Sequence, residues 1–470
     1  TPKRCGAESY TPFMRRVLYV FLAVIALALI AWYGAPLYLR RSVAQYDGTV
    51  RTGVRAPVQI TFDARGVPQV WAETDGDAFF GIGWLHGSER LFQMELVRRL
   101  ARGELSEVFG DVAYDTDVFQ RQIGFARAAK SAQLTPAARA VMQRYVDGVN
   151  AAMTQSKLLP PEFVVLRLTP RPWTIEDCLA VSHYQTWFSH QLMDQDQKYQ
   201  KLIAKLGMQA SVLAHAGHPW SPPTIPIDMS IAKASNSWAV AASRSATGGA
   251  LHAADPHLSI DQAPGLWYLA GLHSNEGLNV VGVTYAGAPF VVMGHNADIA
   301  FSFTVASVDL IDYYDDAPLV ASNNAALREE IRVKGEDKPR VIEVRQGSRG
   351  VMIDDTTSLR WAGFDFPASE ISMAALRLQQ AKTFDDFRGA VTRFGALDAN
   401  WIYSDRLGNI GYQLGAPVPV RDFDTYVRQK ASDPRAVWRG YRALDETPHA
   451  LNPAQGFLAS CNNQPVAQKA

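Results

Sequence analysis

The chain has 470 residues, 47% hydrophobic and 20% charged, which is enough apolar material for more than one folded domain and excludes wholesale disorder. Lys plus Arg equals Asp plus Glu at 46 each, so the formal net charge is zero and no global field draws the protein to nucleic acid or an acidic surface. The cysteines Cys5, Cys178 and Cys461 are too few and too scattered for a disulfide framework or a paired-cysteine zinc site.

Val17 to Leu39 carries no charge and exceeds the roughly 20 apolar residues that cross a bilayer. Arg15 and Arg16 precede this run, Arg40 and Arg41 close it, and no small-x-small cleavage site follows. Residues 14–41 therefore read as an uncleaved signal anchor or transmembrane helix, with a cleaved signal peptide as the alternative. Arginine pairs on both sides leave the orientation open. Residues 1–13, ahead of Met14, read as an N-terminal extension.

Alternating apolar runs around Gly66-Val67-Pro68 predict strands between Val58 and Ala72. From Asp77 to Leu100 the spacing of Phe79, Phe80, Leu91, Phe92, Met94 and Leu96 is helical. Thr135-Pro136 is a helix start, and Thr174-Ile-Glu-Asp has the spacing of a capping box. The first half is thus largely helical. Between Ser211 and Lys233, Pro219, Pro222, Pro223 and Pro226 prevent regular structure and mark a spacer. Beyond it strands are predicted at Asn236–Ala242, Leu251–Ala254, Leu266–His273, Leu278–Thr284 and Phe290–Gly294, with a hairpin from Trp401–Ser404 to Ile410–Gln413. One helix, around Thr383 to Phe394, interrupts this β half.

There is no GxSxG, HExxH or Walker loop. Gly81, Gly83 and Gly87 approach a dinucleotide fingerprint, but the spacing is wrong and the segment is helical. His215 and His218 read as a surface pair rather than a metal site, and His86 with Glu89 as the polar edge of an apolar helix. An ordinary Ser-His-Asp hydrolase would need a nucleophile elbow that is missing. Ala234-Ser235-Asn236-Ser237-Trp238, where the spacer gives way to a strand, reads on its own as an ordinary turn.

The order of segments around it changes that reading. SNSWAVAASRSATGGALHAADPHL and VVMGHNADIAFSFTVASVDLIDYY, together with GVPQVWAE, GWLHGSERLFQMELVRRLARGELSEVFG, GNIGY and the terminal CNNQP, resemble blocks of the penicillin acylase family in the family's order. The resemblance runs from Gly66 to the end of the chain.

It implies an α+β protein with the αββα sandwich of N-terminal-nucleophile hydrolases, incomplete at the C-terminus. The implied division is an acylase α-chain region at 42–210, an autocleavage linker at 211–234 and the first part of a β chain at 235–470. It also implies an autoprocessing zymogen whose α and β chains stay associated, acting on small N-acyl amides of the penicillin, cephalosporin or acyl-homoserine-lactone type, with the catalytic part in the periplasm. A membrane-anchored homologue that binds without turnover is the rival reading. Relatives carry a supporting arginine downstream of the terminal Asn motif, beyond Ala470.

The chemistry of such a site is compact. Amide hydrolysis needs a nucleophile, a base and donors for the oxyanion. Breaking the Ala234–Ser235 bond gives Ser235 a free α-amine, whose ordinary pKa of about 8 suits a general base. The resemblance assigns Ser235 as nucleophile, His257 as a supporting position, Val305 as the backbone oxyanion donor and Asn462 as the side-chain donor, the last open to a shift to Asn463. It places a structural calcium at Asp196, Asp309, Ile311 and Asp312; the bland alternative is acidic residues at a strand end beside Asp315 and Asp316. It maps the acyl pocket onto Leu258, Met293 and Ser307, where benzylpenicillin acylases carry aromatic residues.

Overall fold

The computed structural model describes residues 12–44, 46–156, 158–190, 234–258, 265–319, 327–425 and 427–465. Cys5, Asp196, His215, His218 and the spacer at 211–233 lie outside them. In chain order the helices of the first half are α1 (Pro12–Ser42), α2 (Asp75–Glu89), α3 (Leu91–Arg102), α4 (Ser106–Phe109), α5 (Tyr114–Ile123), α6 (Phe125–Ser131), α7 (Pro136–Gln155), α8 (Pro161–Leu166) and α9 (Ile175–Phe188). The chain divides into two compact units, one of Thr1–Arg51 with Thr154–Pro170 and one of Thr52–Met153 with Arg171–Ala470.

The first unit holds α1 and α8. Within α1 the 29 residues Met14–Ser42 are long and apolar enough to cross a membrane. Its apolar side chains are exposed along its length. The Tyr38 hydroxyl donates to the Leu159 carbonyl at 2.7 Å.

In the second unit the predicted helix starts are explicit. Thr174 closes a full capping box with Asp177 at the head of α9, and Thr135 Oγ1 accepts from the Ala138 amide at 3.3 Å ahead of α7. Such caps satisfy amides that no intrahelical carbonyl can reach. The helical pattern read from Asp77 to Leu100 is two helices rather than one, broken at Arg90. The α2 glycines serve packing. A Cβ on Gly83 would collide with the Tyr145 carbonyl, and one on Gly148 of α7 with the Phe80 carbonyl. His86 is no polar edge but fully buried, with Nδ1 at 2.9 Å from the Tyr145 hydroxyl and Nε2 at 2.9 Å from Thr284 Oγ1.

The strands are β1 (Gln59–Phe62), β2 (Pro68–Ala72), β3 (Ala234–Val240), β4 (Leu251–His257), β5 (Trp267–Ser274), β6 (Asn279–Tyr285), β7 (Val291–His295), β8 (Ile299–Val305), β9 (Ile311–Asp315), β10 (Leu327–Ile331), β11 (Arg340–Val344), β12 (Val351–Met352), β13 (Thr357–Trp361), β14 (Ala399–Asp405), β15 (Ile410–Leu414), β16 (Gln429–Lys430), β17 (His449–Leu451) and β18 (Phe457–Ser460). A nine-stranded sheet runs β1-β2-β5-β6-β7-β8-β14-β15-β17, a three-stranded sheet β18-β3-β4, a four-stranded sheet β12-β13-β9-β16, and β10 pairs with β11. The predicted hairpin is the antiparallel pair β14–β15. Among the described residues the β half carries two α-helices rather than the single one expected, Ala368–Gln380 and Phe384–Val391. The first was missed because its small residues, Ala374 and Ala375 among them, weaken the apolar stripe.

Alternation along the central strands decides which residues face which layer. On β14, Trp401 and Tyr403 pack against Phe387 on the helical side. Ile402, one residue over, joins Ala239, Ala241 and Ile410 in a small cluster beneath the three-stranded sheet. Helices, large sheet and small sheet form three successive layers; no second helical layer lies among the described residues.

Candidate active site

Ser235 is the second residue of β3, the middle strand of the small sheet, and faces the large one on the same side as Ser237 and Ala239. Its hydroxyl donates to the Ala234 carbonyl at 2.7 Å. Its backbone N–H donates to Asn462 Oδ1, and Asn462 Nδ2 donates to the Val305 carbonyl at 2.9 Å. Three residues more than 60 positions apart in sequence thus meet at one corner. The side chain there is that of Asn462; Asn463 instead turns its Oδ1 to Ser460 Oγ at 3.2 Å.

The backbone is left-handed at Asn462, with φ of 63°, and at Ser307, two residues after Val305, with φ of 55°. Asn tolerates this region; serine does so less readily. Ser307 is held there by Asp398, whose Oδ1 accepts from the Val308 amide at 3.0 Å and whose carbonyl accepts from the Ala306 amide at 3.2 Å. Asp398 Oδ2 is buried with no hydrogen-bond partner among the described residues. Burial pushes the Asp398 carboxyl up to about 8, against the lowering effect of the Val308, Ser307 and Ala306 amides.

His257 stands opposite Ala234 in the β3–β4 register. Its Nε2 lies 3.3 Å from Asn236 Nδ2 and 2.9 Å from Asp255 Oδ2, so its contacts go to the residue after the serine. Met293 is buried on β7, and Leu258 is half-buried just after β4.

Behind the serine lies a polar layer that the sequence did not announce. Ser237 Oγ and Ser302 Oγ are 2.6 Å apart, and His252 bridges Ser302 Oγ at 2.6 Å and Ser404 Oγ at 3.0 Å. Burial lowers the His252 pKa to about 4, so at neutral pH the ring is a neutral donor and acceptor. Asn400, fully buried on β14, donates to the Asn463 carbonyl at 3.0 Å and accepts from the Tyr412 hydroxyl at 2.6 Å. A lone Asn in the apolar strand ANWIYSD was the available signal, since buried polar groups must find partners.

Asp309 and Asp312 are both buried, flanking Ile311. Arg421 Nη1 donates to Asp312 Oδ2 at 2.7 Å and Nη2 to the Asp309 carbonyl at 2.7 Å. Trp438 Nε1 adds a bond to Asp312 Oδ2. Burial pushes both carboxyls upward against the pull of Arg421. Two carboxylates face one guanidinium here, and Asp312 Oδ1 has no partner among the described residues. That residual charge and orphaned oxygen fit a hard cation in kind. No group of three or more His, Cys, Asp or Glu is gathered among the described residues, and Asp196 lies outside them.

The chain belongs to the penicillin amidase family, whose sequence profile matches residues 57–470. It is 28% identical over 464 residues to penicillin acylase 2 proenzyme of Pseudomonas sp. strain SE83, covering 88% of this chain and 59% of that protein. It is 25% identical over 475 residues to the acyl-homoserine lactone acylase QuiP of Pseudomonas aeruginosa, covering 88% and 56%. The chain therefore spans less than three fifths of the length of these relatives. Among solved structures it is similar to a thermostable penicillin G acylase from Alcaligenes faecalis in orthorhombic form, at 27% identity and a TM-score of 0.43, covering 50% of this chain and 45% of that one.

Proposed function

We propose that the parent protein is an autoprocessing amidohydrolase that cleaves linear N-acyl amides through an acyl-enzyme on Ser235. The observation that carries this reading is the meeting of Ser235, Asn462 and Val305 at one corner between the sheets, with the serine hydroxyl 2.7 Å from the carbonyl oxygen of its own preceding residue. In self-processing, Ser235 Oγ attacks the Ala234 carbonyl carbon. The new C–O bond replaces the Ala234–Ser235 C–N bond, and the hydroxyl proton passes to the departing amine. Water then splits the ester, leaving a carboxylate on Ala234 and a free amine on Ser235.

In turnover that amine takes the Ser235 hydroxyl proton as the oxygen attacks the substrate amide, and later delivers it to the leaving amine. Asn462 Oδ1, which already holds this nitrogen, keeps its lone pair turned toward Oγ. An amide nitrogen carries two hydrogens, so Asn462 Nδ2 can serve the oxyanion with one while the other stays on the Val305 carbonyl. The Val305 N–H is the second donor. Donors fixed before reaction are the largest electrostatic contribution to such catalysis.

Three finer readings go with this one. Flexible or small Leu258, Met293 and Ser307 in place of rigid rings favour medium-chain aliphatic acyl groups, acyl-homoserine lactones among them, over phenylacetyl. One calcium on Asp309, Asp312 and the Ile311 carbonyl, with Asp196, would join the processed chains and do no chemistry. The α1 helix anchors the protein in the inner membrane with the catalytic part in the periplasm.

One preparation of the full-length protein tests the set. Intact mass and N-terminal sequencing should show a second chain beginning at Ser235, absent in Ser235→Ala. A different terminus, or cleavage that survives in the alanine variant, overturns the assignment. Metal content after dialysis, compared with Asp312→Ala, decides the calcium. Specificity constants over acetyl to dodecanoyl and phenylacetyl amides decide the pocket.

A further inference from the structure

The corner that holds Asn462 and Val305 is itself held by one buried side chain. Asn400 lies opposite Thr304 in the β8–β14 register, next to the strand end that carries Val305. Its Nδ2 donates to the Asn463 carbonyl at 3.0 Å and lies 3.5 Å from the Val305 carbonyl. The same Val305 carbonyl accepts from Asn462 Nδ2 at 2.9 Å. The turn after β18 and the end of β8, which carry the two oxyanion donors, therefore converge on a single amide. The Tyr412 hydroxyl on β15 donates to Asn400 Oδ1 at 2.6 Å, which fixes the amide with its nitrogen facing the two carbonyls. Nearby, Thr304 Oγ1 and Ser460 Oγ, 2.8 Å apart, tie the same two segments just ahead of Val305 and Asn462.

We infer that Asn400 and Tyr412 are positioning residues for the oxyanion site: Tyr412 orients the Asn400 amide, and Asn400 sets the distance between the Val305 segment and the Asn462 turn. This rests on the function proposed above. The physical argument is one of tolerance. Oxyanion donors act only within a few tenths of an ångström of their best distance, and a misplacement of about 1 Å costs on the order of 100-fold in rate. Asn462 sits in a turn with φ of 63°, and the neighbouring Asn463 carbonyl is where Asn400 holds that turn. Without the Asn400 donor that carbonyl must find water or move, and Asn462 moves with it. Neither residue is assigned contact with substrate, so ground-state binding should be spared.

The test uses the full-length processed enzyme and three variants, Tyr412→Phe, Asn400→Asp and Asn400→Leu. Rates are normalised to Ser235 titrated with a sulfonyl fluoride, so that unfolded protein does not count. Tyr412→Phe keeps the ring and removes only the hydroxyl; kcat per titrated serine should fall about 10-fold with KM within about twofold. Asn400→Leu and Asn400→Asp should lose about 100-fold in kcat, and their affinity for an alkylboronic acid, which mimics the tetrahedral intermediate, should fall in parallel. Tyr412→Phe with the wild-type kcat and boronate affinity overturns the positioning role while leaving Ser235 in place. A wild-type protein that neither cuts itself nor turns over any acyl amide overturns the proposed function and this inference with it.

Discussion

On the helical face of the nine-stranded sheet, Trp401 and Tyr403 pack against Phe384, Phe387 and Phe394. One residue along the same strand, on the other face, Asn400 and Ser404 meet Asn463 and His252. The first interface is held by bulk. Each large side chain removed from water contributes about 1.5–3 kcal/mol, and no single contact direction matters. The second interface is held by hydrogen bonds between buried groups, each contributing about 1 kcal/mol net and costing more when left half made. Apolar packing fills volume without fixing a bond direction; a donor–acceptor network also fixes register and distance. The residues proposed to act on a reacting atom sit on the second face.

The largest effect expected from this contrast is on the helical side. Gly148→Ala should lower stability by about 3 kcal/mol, because its Cβ meets the Phe80 backbone and overpacking has no flexible side chain to absorb it. Calorimetry with the wild-type melting temperature would show that the contact between α2 and α7 can open to admit a methyl group. On the polar face, His252→Leu should cost about 2 kcal/mol by leaving hydrogen bonds of Ser302 and Ser404 unmade. The sign of its pH dependence follows from the lowered pKa. Between the ordinary value of about 6.5 and the folded value of about 4, the unfolded chain binds the extra proton. Stability tied to His252 is therefore present above that window and lost as pH falls through it. A denaturant titration series from pH 7 to 4 on wild type and His252→Gln should show a shallower decline in the variant; parallel curves would place the acid sensitivity elsewhere.

At Asp398 the change has the opposite sign. Its folded pKa is raised to about 8, so from about pH 4 upward the native state is the one that keeps a proton. Stability should fall with rising pH by at most about 1.4 kcal/mol per unit. Asp398→Asn should flatten that slope between pH 6 and 8 while still accepting the Val308 amide. An unchanged slope would mean that a partner outside the described residues already satisfies the carboxylate.

Much of the architecture was legible because its signals are local. The cap at Thr174, the proline at 136 and the β14–β15 hairpin depend on a few neighbouring residues, and each lies where the pattern put it. Ser235 was singled out by the order of segments rather than by its own neighbourhood, which reads as a turn. Asp398, Asn400, Tyr412 and Arg421 were not found, since their meaning depends on partners 12 to 112 positions away. His86 was misread for the same reason. A histidine on an apolar helix gives no hint that Tyr145 and Thr284 are waiting for both of its nitrogens.

The parallel pairing of β2 with β5, Gln69 to Ala72 against Gly271 to Ser274, joins segments on either side of Ser235 in one sheet. A cut between Ala234 and Ser235 would leave β1 and β2 on one chain and the other seven strands of that sheet on the second. Before the cut, closing that sheet is an intramolecular search over a fixed length of chain; afterwards it is an encounter between two molecules, at whatever concentration they happen to have. The cut protein would inherit an arrangement that its separated chains regain only by meeting again. Its lifetime would be set by how slowly the two chains part. Its supply would be set by how faithfully the uncut chain folds the first time.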